Sequence, residues 1–352
     1  MSTLSELYGA GGGANFAFPE RIFYSSTTFT PSVKVKVLVH CFGGGGAGGG
    51  AIASIGNTTN SYSCMAAGGG AGEHSGSIFT LDPSVTYTIT VGAGGGRVGL
   101  SAYDTGTTGV SGTASSFSGS DITDLTANGG AGGVGEGVST AGLYEISGAL
   151  GGTNGTGTLF NFTGGSSGYC RQIAGTRYSM YQTCMATGGG AVGIWADGNG
   201  SGNATKNSGS HTQRIQSHGG TVIDGYASGA SFAVDTFYKY TTAPRSIFDR
   251  LNHHVQLSDV TNAAQPPGVR GVAKFTTTAG ASFIATRGGL FAGGGAFGTQ
   301  GINQSGSYLN GGRFGGGGGG STNNSRSGDP RNTYPGNGGA GGVIMEPLEI
   351  IE

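Results

Sequence analysis

The sequence predicts a mainly β fold with extensive coil, in which short strands are connected by ordered polyglycine-type loops. Three observations carry this expectation. Seventy-nine of the 352 residues are glycine, gathered in blocks such as GGGGAGGG at 43–50, GGAGG at 129–133, GGGGGG at 315–320 and GGAGG at 338–342. Stretches of apolar–polar alternation stand directly beside these blocks. Charged residues make up 10%, against roughly 25% in ordinary globular proteins. Glycine loses the most backbone entropy on folding, so such blocks weaken ordinary elements; they become useful where backbones must approach closer than a Cβ allows.

The clearest strand is VKVKVLVHCF at 33–42. It places Val33, Val35, Val37, Val39 and Cys41 on one face and Lys34, Lys36 and His40 on the other, with Leu38 and Phe42. That period of two, rich in β-branched residues, marks a half-buried strand. A second is VTYTITV at 85–91, with Val85, Tyr87, Ile89 and Val91 inward and threonines outward. The last apolar run, VIMEPLEII at 343–351, contains Pro347, which confines it to a sheet edge or splits it. CMAAGGGA at 64–71 recurs as CMATGGGA at 184–191, with a looser relative LFAGGGA at 290–296, and NGGAGGV occurs at 128–134 and 337–343. The irregular spacing excludes a fixed-period solenoid and implies two related halves or one layout used repeatedly.

Residues 230–267 contain no glycine. Within them APRSIFDRLNHHVQL predicts one short helix near 244–256: Phe248, Leu251 and Val255 share a face, and Pro244 suits the first turn. The division expected is an N-terminal arm at 1–28 serving as a possible attachment segment, a glycine-rich β domain at 29–200, a glycine-poor inserted module at 201–275, and a glycine-rich β region at 276–352 that closes the domain.

Composition limits function. A net charge of −1 offers no electrostatic basis for binding nucleic acid or an anionic membrane. No apolar run reaches the ~18 residues of a membrane span, and MSTLSELYGAGGG lacks the apolar core of a signal peptide. Cys41, Cys64, Cys170 and Cys184 show no CxxC spacing; buried free thiols are expected, disulfides being the alternative. GxGxxG-like strings follow from composition, and no glycine block opens a helix as a dinucleotide site requires. GGSSG at 164–168 lacks the strand-to-helix setting of a nucleophile elbow. No enzyme activity and no cofactor are expected.

Two metal readings are weaker than their plain alternatives. DGNGSG at 197–202 sets Asp197, Asn199 and Ser201 at alternate positions, like the front of a calcium loop, but Ser208 stands where the bidentate Glu belongs; a polar surface loop is the plainer reading. Adjacent His253 and His254, near Asp249, point about 100° apart on a helix, so a solvated face is preferred to a metal cluster. Contact with a partner surface, if any segment makes it, is expected from the 201–275 module. Tyr238, Tyr240, Arg245, Arg250, His253 and His254 there combine aromatic, basic and imidazole groups.

FTPSVKVKVLVHCFGGGGAGGG at 29–50, AAGGGAGEHSGSIFTLDPSVTYTITVGAGGG at 66–96, GTASSFSGSDITDLTANGGAGG at 112–133 and NGGAGGVIM at 337–345 together resemble the glycine-rich domain of bacteriophage tail fibres and fibre-tip proteins. The resemblance implies a virion protein, made in the host cytoplasm, that mediates host attachment. Its implied partners are copies of itself, other tail or virion proteins, and a host surface glycan or outer-membrane protein; it implies no nucleic acid, no membrane insertion and no catalytic residues. An intertwined homotrimer is expected, because burial between copies would supply the apolar contact that one chain lacks. The alternatives are an ice-binding or matrix protein, a capsid-decoration protein with no receptor role, and a depolymerising spike. The first wants a strict triplet repeat and the last a carboxylate pair, and the sequence concentrates neither.

Overall fold

A computed structural model describes residues 21–55, 62–102, 105–138, 144–172, 182–194, 196–206, 213–217, 219–220, 231–232, 274–276, 288, 290–300, 309–326 and 332–351. The described residues are mainly β-strands and extended coil in open sheets. They contain no α-helix. The short helix expected near 244–256 is not borne out, and that stretch lies outside the described residues; three apolar positions are thin support for an element that depends on tertiary packing.

Three tiers follow one another along the molecule. The base is a two-sheet sandwich. One sheet contains β1 (Arg21–Phe23), β22 (Gly342–Ile350), β3 (Val35–Phe42), β6 (His74–Leu81) and β13 (Phe160–Phe162), in that order. The other contains β10 (Leu125–Ala127), β9 (Ser115–Ser118), β7 (Tyr87–Thr90) and β2 (Thr27–Phe29). Alternation sends Val35, Val37, Val39 and Cys41 of β3 inward against Tyr87, Ile89, Phe117 and Leu125, all fully buried. Tyr87 keeps its hydroxyl satisfied in this core: it accepts the Asp82 N–H at 2.8 Å and donates to Asp121 at 2.9 Å. Burial pushes its pKa up to about 12.

The expectation for Pro347 is met in an unexpected way. β22 is central where β1 covers Val343–Met345, and among the described residues becomes an edge beyond Met345. Pro347 sits on that uncovered half, and the register with β3 shifts between Pro347 and Glu349. The strand is therefore bulged, not split. Glu346, Pro347 and Glu349 make the open edge a poor template for further strands.

The middle tier is a bundle of extended glycine segments. Each bonds to several neighbours; Gly316 to Gly312, across the turn at 313–315, is a bond within one run. In 43–49, Gly43, Gly46 and Gly49 donate to Glu73, Gly70 and Ala67; Gly44 and Ala47 donate to Thr113 and Val110; Gly45 and Gly48 donate to Gly339 and Gly336. The same segment accepts from Gly95, from Gly130 and Gly133, and from Gly318 and Ser321. Partners repeat every third residue, the period of an extended three-residue helix without internal hydrogen bonds. The donated bonds run to antiparallel neighbours and the paired accepted ones to parallel neighbours, so six segments surround one. Segment 67–73 repeats the arrangement, donating to 128–134, 315–318 and Gly165, and accepting from 43–49, Gly190 and Gly152.

The far tier comprises three sheets that continue these segments. β19 (Lys274–Thr276), β20 (Phe297–Gln300), β21 (Ser321–Arg326), β4 (Gly50–Ile55) and β8 (Thr105–Thr107) form the first. β11 (Gly135–Val138), β5 (Tyr62–Ala66), β15 (Gln182–Ala186), β17 (Gln213–Ser217) and β18 (Ser231–Phe232) form the second, and β12 (Tyr144–Ile146), β14 (Cys170–Gln172) and β16 (Ala204–Lys206) the third. The repeat CMAAGGGA/CMATGGGA lies side by side: β5 and β15 are parallel with Cys64 opposite Cys184 and Ala66 opposite Ala186. The register continues into the bundle through Thr187 to Ala66 and Gly190 to Gly69. One layout is thus used twice in adjacent positions. Cys41, Cys64 and Cys170 are buried free thiols, and burial holds the Cys170 thiol up at about 12.

Candidate functional site

The described strands that flank the undescribed stretches lie in different tiers. β1, β2 and β22 belong to the base, so the end of the arm expected at 1–28 is built into it as β1 and β2. The far strands leave or enter the bundle one by one: β4 and β21 follow glycine segments, while β5 and β15 precede them, and their outer ends are held together by register (Ile55 opposite Arg326, Gln182 opposite Tyr62). β18 pairs antiparallel with β17, which runs into the bundle, so β18 runs outward at Phe232. Residues 233–273, which follow in sequence, lie outside the described residues, and with them Tyr238, Tyr240, Arg245, Arg250, His253 and His254.

Asp197, Asn199 and Ser201 serve the bundle. Asp197 accepts the Thr163 N–H at 2.8 Å, and the Asn199 carbonyl accepts from Ala191 at 3.0 Å. Ser201 Oγ accepts the Gly168 N–H at 2.7 Å and donates to the Gly188 carbonyl at 2.5 Å. Between them they fasten two segments, 163–168 and 188–191, supplying hydrogen bonds that glycine backbone leaves open. Ser167 acts likewise, its Oγ accepting the Ala149 N–H at 2.8 Å. Among the described residues no group of three or more His, Cys, Asp or Glu stands together as a metal site would require.

The sequence reading missed a histidine pair, His74 buried and His40 half-buried, where the base meets the bundle. His40 and Phe42 of β3 oppose Gly76 and His74 of β6. His40 Nδ1 lies 3.0 Å from His74 Nε2, and His74 Nδ1 lies 3.0 Å from the Gly193 carbonyl. A carbonyl only accepts, so His74 carries its proton on Nδ1, and its bare Nε2 accepts from His40 Nδ1. His40 Nε2 then faces Glu346 at 3.6 Å. Phe42 stacks on His74 at 4.2 Å, and Phe160 and Phe162 flank the pair. Burial lowers the pKa of His40 to about 4; burial, with repulsion from His40, lowers that of His74 to about 3. The signal available in the sequence was His40 itself, an imidazole within an alternating strand.

No protein-family model matches this chain, and the search of curated proteins returns no match.

Proposed function

We propose that this chain is a structural virion protein, a component of a phage tail fibre or spike, that attaches the particle to a host surface. The observation that supports it is the division of ends. β1 and β22 belong to the base, and β18, which precedes the aromatic and basic segment 233–273 in sequence, runs outward on the opposite side of a glycine bundle with few free side chains. In this reading the polyglycine-type bundle is a stiff spacer, the base docks to other tail proteins, and the far end presents loops. Loops on a rigid scaffold are where recognition is ordinarily placed. The role is binding, without catalysis or cofactor, and the partner is a glycan or outer-membrane protein.

Replacing Tyr238, Tyr240 and Arg245 together with alanine is expected to cut adsorption to host cells about tenfold or more, while oligomer mass and melting temperature hold. Unchanged adsorption would leave the segment structural and favour a decoration role.

The homotrimer belongs to the same proposal, with one change of form. Every N–H of segments 43–49 and 67–73 finds its acceptor within one chain, so copies would associate as folded units. Val110, Val134 and Leu150, between 40% and 70% exposed, project from segments bonded in series on one side of the bundle and support such contact. Light scattering at micromolar concentration is expected to give three times the chain mass; a folded monomer there refutes it.

A further inference from the structure

We propose that His40 and His74 form an acid-sensitive latch between base and bundle: the neutral pair ties β3 and β6 to the turn after Val192, and the doubly protonated pair releases it. Proton positions decide which state the pair holds. The chain Glu346, His40, His74, Gly193 carbonyl holds one proton between each successive pair of ring and acceptor, except at His40 Nε2, which has no hydrogen-bond partner. A first proton added at His40 Nε2 faces the Glu346 carboxylate and leaves both existing bonds intact. A second must go to His74 Nε2, where it meets the His40 Nδ1–H and breaks the link, placing two cations in an aromatic enclosure.

The surrounding charges do not alter this order. Glu73, next to His74, turns its carboxylate to the N–H groups of Asn128 and Gly155. Asp197, in the turn, is engaged by Thr163. Lys36 lies on the same face of β3 two alternations away, and β13 presents Phe160 and Phe162. Glu346 is the charged group that reaches His40 Nε2, and it is half exposed.

Both folded-state values lie below the unfolded value of about 6.5, so the unfolded or opened form binds protons first. The latch contributes fully above pH ~6.5 and weakens as pH falls toward 4, where His40 itself titrates in the closed form. Imidazole nitrogen NMR at pH 7.5 is expected to show both rings protonated on Nδ1. Hydrogen-exchange protection of the Val192 and Gly198 amides, bonded to Phe291 and Thr163, is expected to fall roughly tenfold or more between pH 7 and 4.5. Amides of the β3–β22 ladder should change far less. In His40→Phe the selective loss should shrink at least severalfold. An Nε2-protonated ring at neutral pH, or equal loss of protection in the turn and in the ladder, overturns the latch, and the NMR measurement needs no variant to fold.

Discussion

Gly45→Val and Gly317→Val are expected to leave no folded protein, whereas Gly96→Ala should fold and melt slightly higher. A Cβ at Gly45 would stand 2.2 Å from the Gly316 carbonyl oxygen, and one at Gly317 2.1 Å from that of Gly69. Both obstacles are backbone, which no rotamer change can move. Shifting 43–49 by the ångström or so that relieves the clash strains the bonds it makes in six directions. Leaving four of those buried groups unmade costs about 1–3 kcal/mol each, which reaches the 5–15 kcal/mol that a typical domain has in total. Gly96 belongs to another glycine run, yet nothing lies within 4 Å of its added Cβ. There alanine restricts the unfolded chain and stabilises by roughly 0.4–1 kcal/mol. Circular dichroism and melting curves separate the three. A Gly45→Val protein that melts like the parent would mean the segments do not pack as described.

The strands were legible because their information is local. Val35, Val37 and Val39 alternate with Lys36 and Leu38 whatever the chain does elsewhere, and β3 and β7 fall within the ranges read from the sequence. The partners of the glycines were not legible: Gly45 bonds Gly339 and Gly95, and nothing in a run of identical residues encodes which distant run will lie beside it. The repeat CMAAGGGA/CMATGGGA marked two such neighbours, though sequence alone could not say they would touch. DGNGSG resembles the front of a calcium loop in spacing, with a polar surface loop the plainer expectation, but what decides its role is neighbouring backbone in need of acceptors and donors, supplied by Asp197 and Ser201. His74 escaped notice because its importance rests on Phe42, His40 and Gly193 meeting it from three places in the chain.

Glu73→Ala is the second substitution expected to have a large effect. Its side chain is 1% exposed, and no cation is paired with it among the described residues. The carboxylate accepts the Gly155 N–H at 2.7 Å and the Asn128 N–H at 3.1 Å. Its backbone donates to the Asn128 carbonyl and accepts from Gly43, so one residue fastens three segments where the bundle enters the base. Hydrogen bonds to a charged acceptor contribute about 1.5–3 kcal/mol each, and alanine leaves two buried donors empty. A loss of roughly 3–5 kcal/mol follows, or about 5–10 °C in Tm for a chain of this size. Glutamine can accept one of the two N–H groups but turns its own NH2 toward the other, so Glu73→Gln should cost about half as much. Glu145 makes the comparison decisive. It has a cation, Arg171 at 3.3 Å, but both side chains are about half exposed, and such surface pairs contribute about 0–1 kcal/mol. If Glu145→Ala lowers the melting temperature as much as Glu73→Ala, then charge pairing and not backbone capping holds this fold. The expected order is Glu73→Ala well below Glu73→Gln, with Glu145→Ala close to the parent.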